Sequence, residues 1–456
     1  MLCIGRYQKL LLLLKDMARI DILNLEWASS GRDIHIIEPV LCYLELNGYT
    51  VRRSSYLFGL IKMLITYPKM LVLSNNCGSI RNFIASKLAY KLGIKVVTLS
   101  SEGDYCMLSN ENCNENSIES FFWGWDLKKE FPVDLHLEWS SKNIDFIKKY
   151  VNNSKDLMKN IKVSGATGFD RYKLFSFKTK EMFLNEHGLK GYKKVVGYAA
   201  WGFDALYDKS FCEAATFART EEYIKFHKRN RDLLKILLQK LVSNNPHILF
   251  IMKRHPGELI FEETELCGLE KYENVLIIKD EEKIEDLINV CDLWMAYEST
   301  TCLEAWLLDK ETMLINPIPF FNERSDIATG SPVKQSYEEI QKDIDADNVA
   351  GFKELESTRK ELIHKIIEYD DGFNYKRAGD FIIQEMHYPK NHFLSIDKWC
   401  IKKIGIEAVK FLIYYSSLRY IGYFRKKITD CLNYSQIYNK REREYYTQEY
   451  QKAIQK

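Results

Sequence analysis

The sequence predicts an α/β protein of two Rossmann-like domains that face each other across a cleft, followed by C-terminal helices. The first observation is the length of 456 residues, which exceeds one ordinary hydrophobic core and indicates two or three domains. The second is an alternation of strand-like and helical patterns that stops at a charged stretch near residue 185 and then restarts. Strands that alternate with helices predict parallel, doubly wound sheets.

Five strand-like segments lie in the first half of the chain. The helix DIHIIEPVLCYLELNGY is expected to end at Gly48, and the helix SIRNFIASKLAYKLG at Gly93, because glycine readily adopts the left-handed conformation that closes a helix. The predicted strands are IDILNLEW, PKMLVLSN, IKVVTLS, VDLHLEW and IKVSG.

The second half repeats this organisation after the charged segment SFKTKEMFLNEHGLKGYKK. Its predicted strands are KVVGYAAWG, HILFIMK, NVLIIKD, DLWMAY and TMLINP, and helical patterns separate most of them. We therefore expect an N-terminal Rossmann-like domain in 1–185, a C-terminal one in 186–335, helices that pack on these domains in 336–395, and a basic amphipathic helical tail in 396–456.

The tail combines aromatic and aliphatic residues with many lysines and arginines. Between Lys398 and Lys427, Glu407 is the only acidic residue. This segment is too interrupted by charge to span a membrane, but a helix of this composition suits an anionic membrane surface. A helix that packs back across the two domains is an equally good interpretation, and the sequence leaves both open.

Bulk composition excludes several classes of function. The net charge is only +2, so no overall attraction to nucleic acid is expected. The eleven cysteines show no CxxC pair and no zinc-ligand spacing, which favours buried thiols in a reducing cytoplasm. The apolar run of residues 10–14 is too short for a secretory signal or a membrane span. These observations predict a cytoplasmic protein that does not bind nucleic acid.

Basic residues follow the strand HILFIMK at the point where a parallel strand leaves its sheet. Lys253, Arg254 and His255 precede Pro256, which cannot continue a central strand. Open α/β sheets bind ligands at the carboxyl ends of their strands, so this segment is a candidate anion site. A solvated strand end is the alternative.

A second candidate anion site follows the strand DLWMAY. Ser299, Thr300 and Thr301 begin a helix, and hydroxyls and backbone N–H groups at such a position bind anions. One turn later, Glu304 is placed to reach a diol such as a ribose. The alternative is structural: Ser299 or Thr300 caps the helix, and Glu304 completes a capping box.

Two further loops carry small or polar residues after strands. In GYAAWGFD, Gly202 permits close approach of the backbone to a diphosphate or base, although a plain loop around a packed Trp201 is a comparable alternative. In NLEWASSGRDI, Asp33 is expected to cap the following helix. The residues of that loop that can bind hydroxyls or a carboxylate are Ser29, Ser30, Gly31 and Arg32.

The order of these motifs resembles that of GT-B glycosyltransferases. A strand ending in RHP, then a strand, a Ser-Thr pair and the helix TTCLEAWLLDK, is similar to their C-terminal nucleotide-binding half. The resemblance is strongest to the bacterial group of polysialyltransferases and capsule Kdo transferases, and teichoic-acid glycerophosphotransferases share a similar His-Pro and Ser/Thr pair. In the N-terminal domain these enzymes carry an acidic pair before a glycine, and SSEGD stands at the matching place here. Only Glu102 of the pair is retained, because Ser101 occupies the other acidic position.

The resemblance implies an inverting, metal-independent glycosyltransferase whose donor is a nucleotide sugar, with a CMP-linked sugar as one option. Glu102 would take the proton of the acceptor hydroxyl, and Asp104 is the reserve candidate on the acceptor side. His255 would protonate or hydrogen-bond the leaving phosphate. The other residues implied for the donor site are Lys253, Arg254, Pro256, Ser299, Thr300, Thr301, Glu304 and Gly202, and those for the acceptor site are Ser29, Ser30, Gly31 and Arg32.

The implied acceptor is a bacterial surface glycan or lipid-linked glycan, as in capsule or lipopolysaccharide synthesis, with the tail as the candidate contact to the inner face of the plasma membrane. Neither metal nor cofactor is expected, because histidine, hydroxyls and a helix dipole can neutralise a phosphate. Three competing functions stay open: a non-hydrolysing sugar-nucleotide epimerase, a glycerophosphotransferase-like polymer transferase, and a non-catalytic subunit of a glycan-assembly complex.

Overall fold

A computed structural model describes residues 20–26, 31–74, 80–101, 103, 131–150, 158–207, 221–279, 281–319, 326–346, 354–390 and 396–456. The described residues divide into two compact units. The first unit takes in residues up to 103, those from 131 to 174, and 367–456, and the second takes in residues of 175–366. The chain therefore returns to its first unit after completing the second.

The first unit contains a six-stranded sheet, and so does the second. The strands are β1 (Ile22–Glu26), β2 (Val51–Ser55), β3 (Met70–Leu73), β4 (Lys95–Leu99), β5 (Leu135–Glu138), β6 (Ile161–Val163), β7 (Lys194–Ala199), β8 (Ile248–Lys253), β9 (Val275–Ile278), β10 (Leu293–Ala296), β11 (Glu311–Ile315) and β12 (Val333–Lys334).

Helices follow most of these strands. They are α1 (Arg32–Leu46), α2 (Gly59–Thr66), α3 (Ile80–Lys91), α4 (Ser141–Tyr150), α5 (Arg171–Leu174), α6 (Lys180–Glu186), α7 (Glu221–Asn244), α8 (Ile284–Val290), α9 (Thr301–Leu307), α10 (Asp326–Thr329), α11 (Tyr337–Asp345), α12 (Glu356–Ile367), α13 (Asn374–His387), α14 (Lys398–Tyr415), α15 (Gly422–Lys427), α16 (Thr429–Ile437) and α17 (Lys440–Gln455). Gly48 and Gly93 have positive φ just beyond α1 and α3, which confirms the predicted helix ends.

Both sheets are parallel throughout. The first has the order β2-β1-β3-β4-β5-β6 and the second the order β12-β11-β10-β7-β8-β9. Several central strands are buried apolar runs, such as ILFIM in β8, which is typical of parallel strands covered by helices on both faces. The predicted fold class, two Rossmann-like α/β domains with C-terminal helices, is confirmed.

The two edge strands β2 and β12 were not predicted from the sequence. The segment VRRSS of β2 has only one apolar residue, and β12 is two residues long. An edge strand has one free side and needs no continuous apolar run, so the hydrophobic pattern does not reveal it. The prediction that Asp33 caps α1 was also wrong, because Gly31 is the N-cap and Asp33 lies in the first turn.

The C-terminal segments are shared between the units. The predicted domain boundary lies after residue 185, whereas the contacts separate the units between Leu174 and Phe175. Of the segment predicted as packing helices, α11 and nearly all of α12 belong to the second unit, and α13 belongs to the first. The carboxylate of Asp170 accepts hydrogen bonds from the backbone N–H of Asn374 (3.2 Å) and of Tyr375 (2.6 Å), which holds the start of α13 on the first unit.

The last helix is also part of the first unit. Helix α17 packs along α1, where Tyr450 and His35 share a 2.7 Å hydrogen bond. The guanidinium of Arg443 is buried, with Nη2 2.5 Å from Oε2 of the buried Glu38. Among the described residues, no helix is long and apolar enough to cross a membrane.

Candidate functional site

Three neighbouring strands of the second sheet end at the same level. In the strand register, Lys253 at the end of β8 lies opposite Ala199 of β7, which lies opposite Ala296 of β10. The segments that follow therefore leave the sheet side by side, with the β7 segment in the middle. This edge brings together the two candidate anion segments, KRHPGE and ESTT, on either side of GYAAWG. It is the edge at which parallel α/β sheets bind their ligands.

His255 is exposed in the first segment. Its Nδ1 accepts a 3.2 Å hydrogen bond from the backbone N–H of Gly257. With Nδ1 as acceptor, a neutral ring carries its proton on Nε2, where it can be donated to a ligand. Desolvation by the surrounding protein lowers the pKa of His255 below its ordinary value, and the positive charge of Lys253 adds to the lowering, whereas Asp204 opposes it.

Gly202 lies against this imidazole. A Cβ atom placed on Gly202 would stand 3.4 Å from both Cε1 and Nδ1 of His255. A side chain larger than alanine at this position would therefore occupy the space beside the ring. The structure thus brings together two predicted donor-site residues that come from neighbouring strand ends.

The loop that carries His255 is anchored by charged groups. Oδ2 of the buried Asp204 accepts hydrogen bonds from the N–H of Leu259 (2.6 Å) and of Ile260 (3.0 Å). The guanidinium of Arg254 pairs with the buried carboxylate of Glu258 through Nε, at 3.0 Å, and through Nη2. These contacts hold the turn at Pro256 and keep His255 at the strand end.

Lys253 and Arg254 have protein partners of their own. The ammonium of Lys253 donates to the carbonyl of Arg254 at 3.2 Å and to that of Lys279. Arg254 also lies over the ring of Phe261, 4.8 Å from its centroid. Lys253 adds positive charge beside His255, whereas the charge of Arg254 is balanced by Glu258, and both cations stabilise the β8–β9 end. Their assignment as direct phosphate ligands stays a prediction.

Ser299 and Thr301 form a hydrogen-bonded pair after β10. Thr301 donates to Ser299 Oγ through its N–H (3.2 Å) and through its hydroxyl (2.9 Å), and the indole N–H of Trp294 donates to the Thr301 hydroxyl at 2.9 Å. Thr300 is the exposed N-cap of α9, as in the structural alternative, but it makes no side-chain capping hydrogen bond, so the capping box of that alternative is not formed. The half-buried Glu304 lies in the first turn of α9.

Glu265 positions the middle segment, GYAAWG, and was not predicted from the sequence. Glu265 is buried, and its Oε1 accepts hydrogen bonds from the N–H of Trp201 and from the hydroxyl of Tyr198, both at 3.0 Å. Burial raises the pKa of Glu265 to about 7, although these hydrogen bonds oppose the rise. The segment ETELCG around Glu265 is neither a strand end nor a recognisable motif, so its sequence gave no signal.

An aromatic group lies beside the same strand ends. The half-buried ring of Trp201 stacks on the imidazole of His227, with centroids 4.9 Å apart and planes at 16°. Nδ1 of His227 is 3.0 Å from the hydroxyl of Tyr297, the residue after β10. The packed Trp201 that the sequence offered as the alternative is therefore present, and it lies next to Gly202.

Of the acceptor-side predictions, the described residues Gly31 and Arg32 lie in the first unit. Ser29, Ser30, Glu102 and Asp104 are outside the described residues. Gly31 has a φ of 88° at the start of α1, and Arg32 is exposed. Gly103 packs directly on Trp139, because a Cβ atom on Gly103 would stand 2.3 Å from Cδ2 of the indole. The indole N–H also donates to the carbonyl of Ser100 at 2.8 Å.

A buried polar cluster near the ends of β1 and β3 was also missed. Glu26 accepts hydrogen bonds from Asn24 (2.7 Å) and from Ser74 (2.8 Å), across the point where the strand order of the first sheet reverses. Burial raises the pKa of Glu26 to about 8, and Asp33 adds to the rise. The described residues contain no group of three or more His, Cys, Asp or Glu side chains arranged to hold a metal ion.

No protein-family model matches the chain, and no curated protein sequence matches it. Solved structures do. A UDP-N-acetylglucosamine 2-epimerase is 13% identical, with a TM-score of 0.52 over 83% of this chain and 100% of that one. The S. aureus MnaA–UDP structure is 12% identical, with a TM-score of 0.51 over 80% and 96%.

The wall teichoic acid polymerase TagF, in a variant soaked with CDPG, is 11% identical, with a TM-score of 0.53 over 86% of this chain and 96% of that one. Identities this low establish the fold and nothing finer. The chain has the two-domain α/β fold of the GT-B type.

Proposed function

We propose that the chain is a GT-B-type glycosyltransferase that uses a nucleotide-activated donor, with the donor phosphate at the carboxyl edge of the second sheet. The main support for the proposal is that β8, β7 and β10 end at the same level. His255 and Ser299 therefore lie on either side of the segment GYAAWG at the end of β7. In parallel α/β folds this edge is where phosphates are bound.

The chemistry of His255 fits a leaving phosphate. Its lowered pKa favours the neutral ring at physiological pH, and the Gly257 N–H on Nδ1 leaves Nε2–H as the donor. A positioned donor stabilises the charge that develops as the bond from sugar to phosphate breaks. Ser299 contributes a second donor, because its oxygen already accepts two hydrogen bonds from Thr301 and its own hydrogen is directed elsewhere. Lys253 adds positive charge at the same edge.

The acceptor side of the proposal rests on the motif SSEGD. Glu102 would act as the base for the acceptor hydroxyl, with Asp104 in reserve, and the acceptor would be a bacterial surface glycan on the cytoplasmic side of the membrane. Glu102→Gln should then abolish transfer but retain nucleotide binding, and the reverse pattern with Asp104→Asn would identify Asp104 as the base.

Incubation with labelled nucleotide sugars tests the proposal. A thermal-shift panel of CMP, CDP, UDP and GDP first selects the nucleotide, because a ligand that binds the folded state raises the melting temperature. The matching sugar donor is then incubated with and without glycan acceptors. Acceptor-dependent transfer supports the proposal, whereas isomerised donor in the absence of acceptor would identify an epimerase. Binding of no nucleotide would contradict both functions.

A further inference from the structure

Helix α14 and the residues after it present an apolar surface to solvent. On α14 the exposed side chains Ile401, Ile406, Val409, Leu412 and Tyr415 fall on one side of the helix, and Val409, Leu412 and Tyr415 are 57%, 66% and 65% exposed. The surface continues through Leu418, Tyr420, Ile421 and Tyr423, all of them exposed. We call these nine residues the tail surface. Contiguous exposed apolar side chains of this number mark an interaction site.

The outward orientation of this surface is set by the opposite side of α14. On that side, Phe411 and Tyr414 contact the ring of the buried Phe58 at centroid distances of 5.1 and 5.4 Å. The carboxylate of Glu407 accepts hydrogen bonds from the backbone N–H groups of Leu60 (2.8 Å) and Ile61 (3.2 Å) in α2. The helix is therefore held in the first unit, and the apolar side chains face solvent because of that attachment.

The segment that carries the tail surface is predominantly basic, although the exposed Asp397 and Asp430 flank it. Glu407 is the only acidic residue between Lys398 and Lys427, and its carboxylate is turned inward onto α2. The exposed cations that border the surface are Lys398, Lys402, Arg425, Lys426 and Lys427. An apolar surface with tyrosines and a border of lysines and arginines matches the headgroup region of an anionic bilayer, which offers apolar chains below and phosphates above.

We propose that the tail surface docks the protein onto an anionic lipid bilayer, with its apolar side chains inserted at headgroup level and its cations on lipid phosphates. A second copy of the chain fits this surface less well, because pairing would bring the two basic borders together. This proposal does not depend on the nucleotide site, and it places the protein at a membrane surface. The sequence left two interpretations of the tail open, packing on the protein and contact with a membrane. Under this proposal the tail does both.

Co-sedimentation of the full chain with lipid vesicles tests the proposal. Vesicles of equal parts phosphatidylcholine and phosphatidylglycerol are compared with vesicles of phosphatidylcholine alone. We expect binding to the mixed vesicles that weakens as salt rises. Val409→Glu with Leu412→Glu should reduce the partition coefficient by about tenfold or more, since the insertion of two apolar side chains is lost. Lys426→Glu with Lys427→Glu should weaken both binding and its salt dependence.

Ile236→Glu is the matched control, because Ile236 is 64% exposed on α7 of the second unit and is not part of the tail surface. Val409→Ser with Leu412→Ser repeats the test without added charge, and circular dichroism confirms folding. The proposal is overturned if wild type does not bind the mixed vesicles, or if Ile236→Glu loses as much binding as the tail variants. It is also overturned if the tail variants only dissolve a dimer and leave vesicle binding unchanged.

Discussion

Thr301 donates two hydrogen bonds to Ser299, one from its backbone N–H at 3.2 Å and one from its hydroxyl at 2.9 Å. The hydroxyl of Thr301 is itself held by the indole N–H of the buried Trp294 at 2.9 Å. With both hydrogen bonds accepted at its oxygen, Ser299 has its hydroxyl hydrogen available for a different acceptor. The buried core of the second sheet thus orients a donor at the end of β10.

Ser299→Ala should lower the affinity for the preferred nucleotide by about tenfold to a hundredfold, because a hydrogen bond to a charged phosphate is worth about 1.5–3 kcal/mol. Isothermal titration measures the change. Ser243→Ala is the control, since the Ser243 hydroxyl donates to the Lys240 carbonyl within α7. Equal affinities for wild type and Ser299→Ala would remove Ser299 from the site.

His255→Ala should reduce turnover by about a hundredfold or more while the melting temperature stays near that of wild type. The imidazole is exposed at a strand end, so its loss leaves no core cavity. His247→Ala is a matched control, because His247 is exposed at the opposite end of the same strand, β8. Near-normal turnover of a folded His255→Ala enzyme would exclude a role at the leaving phosphate.

The sequence predicted the buried parts of the fold and the strand ends, for identifiable physical reasons. Buried parallel strands are rich in apolar residues, and His255 and Ser299 come shortly after two such strands, so both the second sheet and the proposed position of its ligand edge could be inferred. Arg443 and Asp170 could not be placed in the same way. Each acts on a segment far away in the chain, Arg443 on Glu38 and Asp170 on the start of α13. Periodicity reports local structure and carries no information on such pairings.

Glu265→Gln should change how stability depends on pH. The folded-state pKa of Glu265 is raised from 4.5 to about 7, so the folded protein binds this proton more tightly than the unfolded chain. Its contribution to stability is complete below about pH 4.5 and is lost as pH rises through about 7. Relative to the glutamine variant, wild type should therefore lose about 3 kcal/mol of unfolding free energy over this range.

Urea unfolding at several pH values measures this difference. Glu262→Gln, at an exposed position three residues earlier in the chain, is the control for the loss of one carboxylate. Parallel pH profiles for wild type and Glu265→Gln would show that Glu265 does not hold its proton in the folded state.

Gly103→Ala should destabilise the protein by about 1–3 kcal/mol, because the added Cβ would stand 2.3 Å from the indole of Trp139 and the turn would have to move. Gly405→Ala is the matched control. Gly405 lies inside α14 with nothing within 4 Å of an added Cβ, so alanine there should stabilise by about 0.5–1 kcal/mol. Thermal melts compare the two, and equal shifts would contradict the close packing at Gly103.

A double-mutant cycle of nucleotide binding tests most directly whether His255 and Ser299 serve one phosphate site. The two residues follow strands that lie on either side of β7, so their backbones are about 10 Å apart and their mutational effects should add unless a ligand joins them. Isothermal titration of the preferred nucleotide compares His255→Ala, Ser299→Ala and the double variant, each confirmed folded. If both residues bind one phosphate, the second substitution should lower the binding free energy by less in the single variant than in wild type. The difference, which is the coupling, should be about 0.5 kcal/mol or more. Strictly additive losses, or no loss in either single variant, would place the phosphate elsewhere.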